Sequence, residues 1–300
     1  MTAPDATKEP TGLDLYSRAA EAACNQVIAA YSTSFGWATR LLSSEIRQPV
    51  RNIYAMVRVA DEIVDGAAAE ASALGGGISA ASALDAYEDA CYRAMADGFA
   101  TDLVLHAFAR TANRYGFGRD LVAPFFASMR ADLTESAHDQ ESFERYIYGS
   151  AEVVGLMCLR VFVGEAGRNY SEAEIEGLEA GARALGSAFQ KVNFLRDISA
   201  DFNRLGRSYF PGITPSNFTD AARDKICAEI SAETDLASTQ LKQLPSGASK
   251  AVAAALLLFA ELNRKIAKTP AAQIAQTRIR VGNASKLALV VKAYLGVTNA

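Results

Sequence analysis

Along most of the chain, apolar residues recur at the spacing of one helix face, and alternating apolar and polar runs are nearly absent. The pattern predicts helices at about 13–29, 33–45, 48–66, 80–96, 100–115, 119–132, 141–163, 171–203, 218–242, 248–267 and 284–297. Connections are expected at 67–79, around Gly75-Gly76-Gly77, and at 133–140, 164–170 and 204–217. Pro49, Pro124, Pro211, Pro215, Pro245 and Pro270 fall at plausible boundaries, because proline disrupts a helix interior. Residues 1–11 read as a disordered lead. No repeat of fixed period and no shift in composition divides 12–300, so one all-α domain is expected.

Two of these helices carry a polar stripe on a largely apolar surface. In the first, Tyr54, Arg58, Asp61 and Asp65 follow at steps of 4, 3 and 4. In the second, Gln190, Asn193, Asp197 and Asp201 follow at steps of 3, 4 and 4. Such steps keep side chains on one face. The first stripe is flanked by Ile53, Ala55, Met56, Val57, Val59 and Ala60. The second is flanked by Val192, Phe194, Leu195 and Ile198, with Lys191 and Arg196 interrupting. One acidic pair alone reads as a solvated face. Two matching pairs on apolar helices point to a site, because a buried carboxylate must be paired or bound to metal. Opposed across a cavity, the four aspartates would surround hard cations. Mg²⁺ uses one or two carboxylates plus substrate phosphates, which is what ionising a diphosphate requires.

Composition narrows the alternatives. A net charge of −4 and a pI near 5.4 argue against a nucleic-acid partner. Cys24, Cys91, Cys158 and Cys227 are scattered without zinc or disulfide spacing, which suits a reducing cytoplasm. Asp5, Lys8 and Glu9 precede any apolar run, so no signal peptide is expected. The longest apolar run, Ala251 to Ala260, is half a bilayer span. A cytoplasmic protein with peripheral membrane contact is the expectation. His106 and His138 are the only histidines, and no Gly-x-Ser-x-Gly elbow accompanies them. Glu135-Ser136-Ala137-His138 is a single Glu-x-x-His, where a di-iron bundle needs two. The triple glycine lacks the Lys-Ser/Thr of a phosphate loop. Metal-assisted diphosphate cleavage is what remains. An aromatic cavity would hold the resulting carbocation, and the candidates are Phe35, Tyr54, Phe125, Phe126, Tyr146, Tyr148, Phe194 and Tyr209.

Five separated segments resemble the squalene/phytoene synthase family in order and spacing. They are Tyr31-Ser32-Thr33-Ser34-Phe35, Tyr54 to Asp65, Tyr146-Ile147-Tyr148-Gly149-Ser150-Ala151, Gln190 to Asp201, and Gly206-Arg207-Ser208-Tyr209-Phe210-Pro211. The likeness runs from about 20 to 290 and is strongest to bacterial members of carotenoid pathways. It implies an all-α isoprenoid synthase fold and head-to-head joining of two prenyl diphosphates through a cyclopropyl diphosphate. The leading expectation is two geranylgeranyl diphosphates giving phytoene by way of prephytoene diphosphate. Asp61, Asp65, Asp197 and Asp201 would then hold Mg²⁺ (or Mn²⁺), with Asn193 as a further ligand. Ser32, Ser34 and Arg58 would contact diphosphate, with Phe35 and Tyr54 at the substrate. Gln190 and Arg196 would lie beside the second acidic site, and Tyr146 and Ala151 at the central cavity. Arg207 and Tyr209 would belong to a flap over the mouth. Downstream carotenoid enzymes are the candidate protein partners.

Several positions depart from the family pattern. Glu152 stands where a small residue is expected. Phe259 and Asn263 occupy a region where a tyrosine is expected, which weakens a substrate role for Arg278 or Arg280. Thr39, one turn beyond Phe35, is small where family members using C15 substrates carry a bulky aromatic, which favours a C20 substrate. No NADPH is expected for phytoene. The competing readings are squalene or diapophytoene synthesis from two farnesyl diphosphates (the former using NADPH), a cyclase acting on one prenyl diphosphate, and a catalytically inactive helical prenyl-binding protein.

Overall fold

The computed structural model describes residues 11–32, 36, 38–75, 77, 79–279, 282, 288, 289 and 293, with Arg204 described in its backbone only. The chain forms α1 (Gly12–Tyr31), α2 (Ser44–Asp65), α3 (Ala67–Ala73), α4 (Ala80–Asp97), α5 (Leu103–Tyr115), α6 (Arg119–Thr134) and α7 (Gln140–Ile147). A π-helical turn (Tyr148–Glu152) joins α7 to α8 (Val153–Gly164). Then come α9 (Glu172–Ala200), a second π turn (Asp201–Leu205), α10 (Asp220–Gln240), α11 (Ser246–Ala267) and α12 (Ala271–Ile274). Among the described residues there is no strand. An isolated parallel bridge pairs Ala137 with Ser208.

Local sequence explains several boundaries. Thr11 caps α1 reciprocally: Asp14 N–H donates to its hydroxyl at 3.2 Å, and its own N–H donates to the Asp14 carboxylate at 3.0 Å. Ser171 and Glu174 form the same box at the start of α9. Gly98 and Gly116 end α4 and α5 in the left-handed conformation.

Some expectations needed correction. Pro49 and Pro124 lie inside α2 and α6 rather than at their ends. The expected 67–79 loop contains α3, and α12 was not foreseen. The expected 141–163 helix is one rod interrupted by a π turn, and 171–203 ends in another. The helix expected at 33–45 is only partly described, and the chain turns before α2 begins. Residues 1–10 and most of the helix expected at 284–297 lie outside the described residues.

The rod Gln140–Gly164 has the length and composition to cross a bilayer. Uninterrupted apolar runs do not reveal it, because Gly149, Ser150 and Glu152 break the run. It packs against α6 and α9 within the bundle, and its Val153, Met157 and Val161 are fully buried. It therefore reads as a core helix. Phe108, Phe125, Phe126, Ile53 and Met56 complete the core on its α2–α6 side. His106 is a buried core residue 3.1 Å from the Ser17 hydroxyl.

Glycines allow backbones to meet around this rod. A Cβ on Gly149 would lie 2.2 Å from both the Pro124 carbonyl and the Ser128 hydroxyl. One on Gly155 would lie 2.7 Å from Ala182 O, and one on Gly186 would lie 2.7 Å from Ala151 O. Gly149→Ala is expected to destabilise the fold by about 1–3 kcal/mol through overpacking. A thermal melt checks this, and an unchanged Tm would mean that α6 and the π turn are not held this closely.

Candidate active site

The first polar stripe runs along the second half of α2. Arg58 donates to Asp61 at 2.6 Å and also pairs with Glu62. Its guanidinium lies 4.4 Å above the Tyr31 ring. Tyr54 is hydrogen-bonded by the Ser32 side chain. The second stripe runs down α9, and Asp201 opens the π turn that follows. Asp197 is held by two arginines. Arg196 Nε lies 3.0 Å from Oδ1, and Arg278 Nε lies 2.7 Å from the same oxygen. Arg278, doubtful from sequence, is thus at the site. Arg280, Ser34 and Phe35 lie outside the described residues.

The electrostatics bring the two stripes together. Burial first, then Asp65, pushes the Asp61 carboxyl up to about 6, with Arg58 opposing. Burial, then Asp197 and Asp65, pushes Asp201 up to about 7. Arg207 links Asp65 on α2 to Asp201 after α9, its side chain contacting the Asp65 carboxylate and its backbone N–H donating to Asp201 O at 3.2 Å.

Beside the stripes lies a cavity of about 310 Å³, with largely apolar walls. Tyr54, Ala151, Gln190, Asn193 and Thr39 line it, all singled out from sequence. Gln190 donates to the Ser150 hydroxyl at 3.2 Å. The π turn Tyr148–Glu152 is what presents Ser150 and Ala151 to the cavity. Glu152 turns away from it and pairs with Arg183 at 2.6 Å, so it does not narrow the space. The aromatic lining differs from expectation. Phe162, Phe189 and Phe259 join Tyr54, with Phe189 stacked on Phe259 at 3.7 Å between centroids. Phe125 and Phe126 are core residues instead. Asn263, the other departure, is buried and donates to Cys227 O at 3.0 Å.

Tyr146, expected at the central cavity, stands instead with Arg207 and Tyr209. None of the three lines this cavity. All three are buried. Gly206, at φ 69°, reverses the chain, and Ser208 N–H then donates to Ser136 O at 2.8 Å. Tyr209 stacks on Phe194 at 3.8 Å. Both phenols converge on Asp132 of α6, which sequence reading missed. Tyr146 donates to Oδ2 at 2.7 Å and Tyr209 to Oδ1 at 3.0 Å. Arg207 lies 3.4 Å from Asp132 and also touches Asp65. The signal for Asp132 was available: Phe125, Met129 and Asp132 follow at steps of 4 and 3, which puts Asp132 on their apolar face.

Among the described residues, no three His, Cys, Asp or Glu side chains converge tightly enough to hold a metal as they stand. Arginines hold Asp61, Asp65 and Asp197. The donor chemistry nevertheless fits a hard cation. It is all oxygen, and burial, then the neighbouring carboxylates, pushes Asp61 and Asp201 up, an environment that a bound cation would relieve.

Acidic helix faces over an apolar cavity in an all-α bundle define the isoprenoid synthase class, and solved structures share the fold. A dehydrosqualene synthase in complex with ligand superposes with a TM-score of 0.76 at 20% identity, covering 94% of this chain and 98% of that one. Squalene synthase HpnC from Alicyclobacillus acidocaldarius gives 0.71 at 19% identity, covering 85% and 97%. The squalene/phytoene synthase sequence pattern matches residues 28–285, and the chain belongs to that family. A chloroplastic phytoene synthase of Daucus carota is 31% identical over 90% of this chain and 69% of its own length. Phytoene synthase 3 of Zea mays is 35% identical over 68% of this chain, which spans 45% of the maize protein. A phytoene synthase of Arthrospira platensis is 31% identical over 66% and 63%.

The crowded carboxylates imply a stability test. A carboxyl raised in the folded state destabilises the fold once ionised, at pH above its folded pKa, and has no such effect below the unfolded value. Asp201→Asn is therefore expected to raise the stability of metal-free protein by about 1–2 kcal/mol at pH 8, fading near pH 4. Thermal melts in chelator check this, and a lower Tm at pH 8 would contradict it.

Proposed function

We propose that this protein is a phytoene synthase. It would join two geranylgeranyl diphosphates head to head, through prephytoene diphosphate, to phytoene. The observation that carries this reading is that Arg207 joins the two acidic stripes, its side chain contacting Asp65 and its backbone N–H donating to Asp201 O at 3.2 Å, while Tyr54 and Asn193 of the same stripes line one apolar cavity. The phytoene synthase relatives support the same reading.

Asp61, Asp65, Asp197 and Asp201, with Asn193, would hold Mg²⁺ or Mn²⁺. Such cations, when bound, offset the charge of a departing diphosphate. Arg58, Arg196 and Arg278 already stand on the acidic residues and would turn toward diphosphate oxygens. The apolar walls would hold the prenyl chains and keep water from an allylic cation. The faces of Tyr54, Phe162, Phe189 and Phe259 would stabilise that cation by about 0.5–2 kcal/mol each. No NADPH enters this reading. The unpaired cysteines would suit a cytoplasmic location, and peripheral contact with a membrane and delivery to downstream carotenoid enzymes would suit a water-insoluble product.

Purified protein with Mg²⁺ and geranylgeranyl diphosphate is expected to yield phytoene without reductant, identified by mass spectrometry. Exclusive use of farnesyl diphosphate would instead establish the squalene or diapophytoene reading. Asp61→Asn and Asp197→Asn are each expected to lower turnover by at least about 10²-fold with the fold intact by circular dichroism. Near-normal turnover in either would remove the acidic site from the mechanism, as would activity surviving exhaustive chelation.

Thr39 is buried, its hydroxyl donates to Gly36 O at 3.1 Å, and it lines the cavity. Thr39→Phe would fill space there, and each displaced methylene costs about 0.8 kcal/mol of burial. The variant is expected to lose C20 use far more than C15 use in competition assays. Equal loss on both substrates would mean that Thr39 does not set chain length.

A further inference from the structure

Asp132 is a buried carboxylate outside both acidic stripes, and nothing in the proposed reaction uses it. Its two phenol donors are neutral, so they solvate its charge without offsetting it. Arg207 supplies the counter-charge. The same guanidinium nitrogen, Nη1, lies 3.4 Å from Asp132 Oδ1 and contacts Asp65 Oδ1. Arg207 is itself buried. One fixed cation is thus shared between a carboxylate deep in the bundle and a carboxylate of the acidic site.

This sharing has a consequence for metal loading. A guanidinium on Asp65 competes with a divalent cation for the same oxygens and repels it. Moving a buried arginine into water would require the segment after Gly206 to detach from Ser136 and Phe194. Leaving it buried without a carboxylate would strand a charge, which is strongly unfavourable. Asp132 removes both difficulties, because it is already within 3.4 Å and already oriented by Tyr146 and Tyr209. We propose that Asp132 is a positioning residue, the buried counter-ion that retains Arg207 when Asp65 turns to a divalent cation. It acts through Arg207 and touches neither substrate nor metal. The inference rests on Asp65 being a cation ligand, as proposed above.

Mn²⁺ binding to the substrate-free protein, followed by the electron paramagnetic resonance of free Mn²⁺, tests it without reference to activity. Asp132→Asn leaves Asp65 as the one ion-pair partner of Arg207 among the described residues, and is expected to weaken Mn²⁺ binding about tenfold, the scale of one partly screened charge pair. Arg207→Gln removes the competitor and is expected to bind Mn²⁺ more tightly than wild type. The double variant is expected to follow Arg207→Gln rather than Asp132→Asn. A folded Asp132→Asn protein with wild-type Mn²⁺ affinity would overturn the proposal and leave Asp132 a packing residue. Should Asp132→Asn fail to fold, Arg207→Gln decides alone, and binding no tighter than wild type overturns the proposal. Wild type with no saturable Mn²⁺ site would overturn the metal reading of Asp65 itself, and this inference with it.

Discussion

Carboxylates held together at the lip of an apolar cavity repel one another, and the surroundings of the site are arranged around that repulsion. Burial disfavours the charged form and the neighbouring carboxylates add to it, so Asp61 and Asp201 cling to their protons. Guanidiniums stand on three of the four aspartates: Arg58 at Asp61, Arg207 at Asp65, Arg196 and Arg278 at Asp197. These arginines come from four different parts of the chain. An arrangement that tolerates such a cluster with arginines in place suits it to accept cations and an anionic substrate in exchange.

The frame that holds the carboxylates apart from the cavity depends on close backbone approach. Gly149, Gly155 and Gly186 let α6, the central rod and α9 meet without intervening side chains. That closeness costs conformational freedom, as glycine always does. It fixes the π turn that shows Ser150 and Ala151 to the cavity while sending Tyr146 toward Asp132 and Glu152 toward Arg183. Residues close together in sequence are thereby divided among three environments. The second π turn does similar work at Asp201, after which Gly206 brings Arg207 back beneath the site.

Family membership and geometry agree on where the chemistry sits, and they constrain different things. The family likeness covers the acidic stripes and the Tyr146–Ala151 segment. The departures at Glu152, Phe259 and Asn263 have local explanations: an ion pair facing away from the cavity, an aromatic stack lining it, and a buried amide tying α11 to α10. None of them disturbs the acidic site.

What could be read from the chain alone was whatever depends on helical periodicity. The all-α class, most helices and both stripes follow from side-chain spacing, and the cavity residues Tyr54, Ala151, Gln190, Asn193 and Thr39 came from motifs on those helices. Periodicity says which residues share a face, not which faces meet. Only the packed bundle could bring Asp65 to Asp201, place Asp132 against Arg207, or set Phe162, Phe189 and Phe259 rather than Phe125 and Phe126 around the cavity. Those outcomes depend on contacts between residues far apart in the chain, such as Arg207 and Asp65, 142 positions apart, whose strength is fixed by burial and distance.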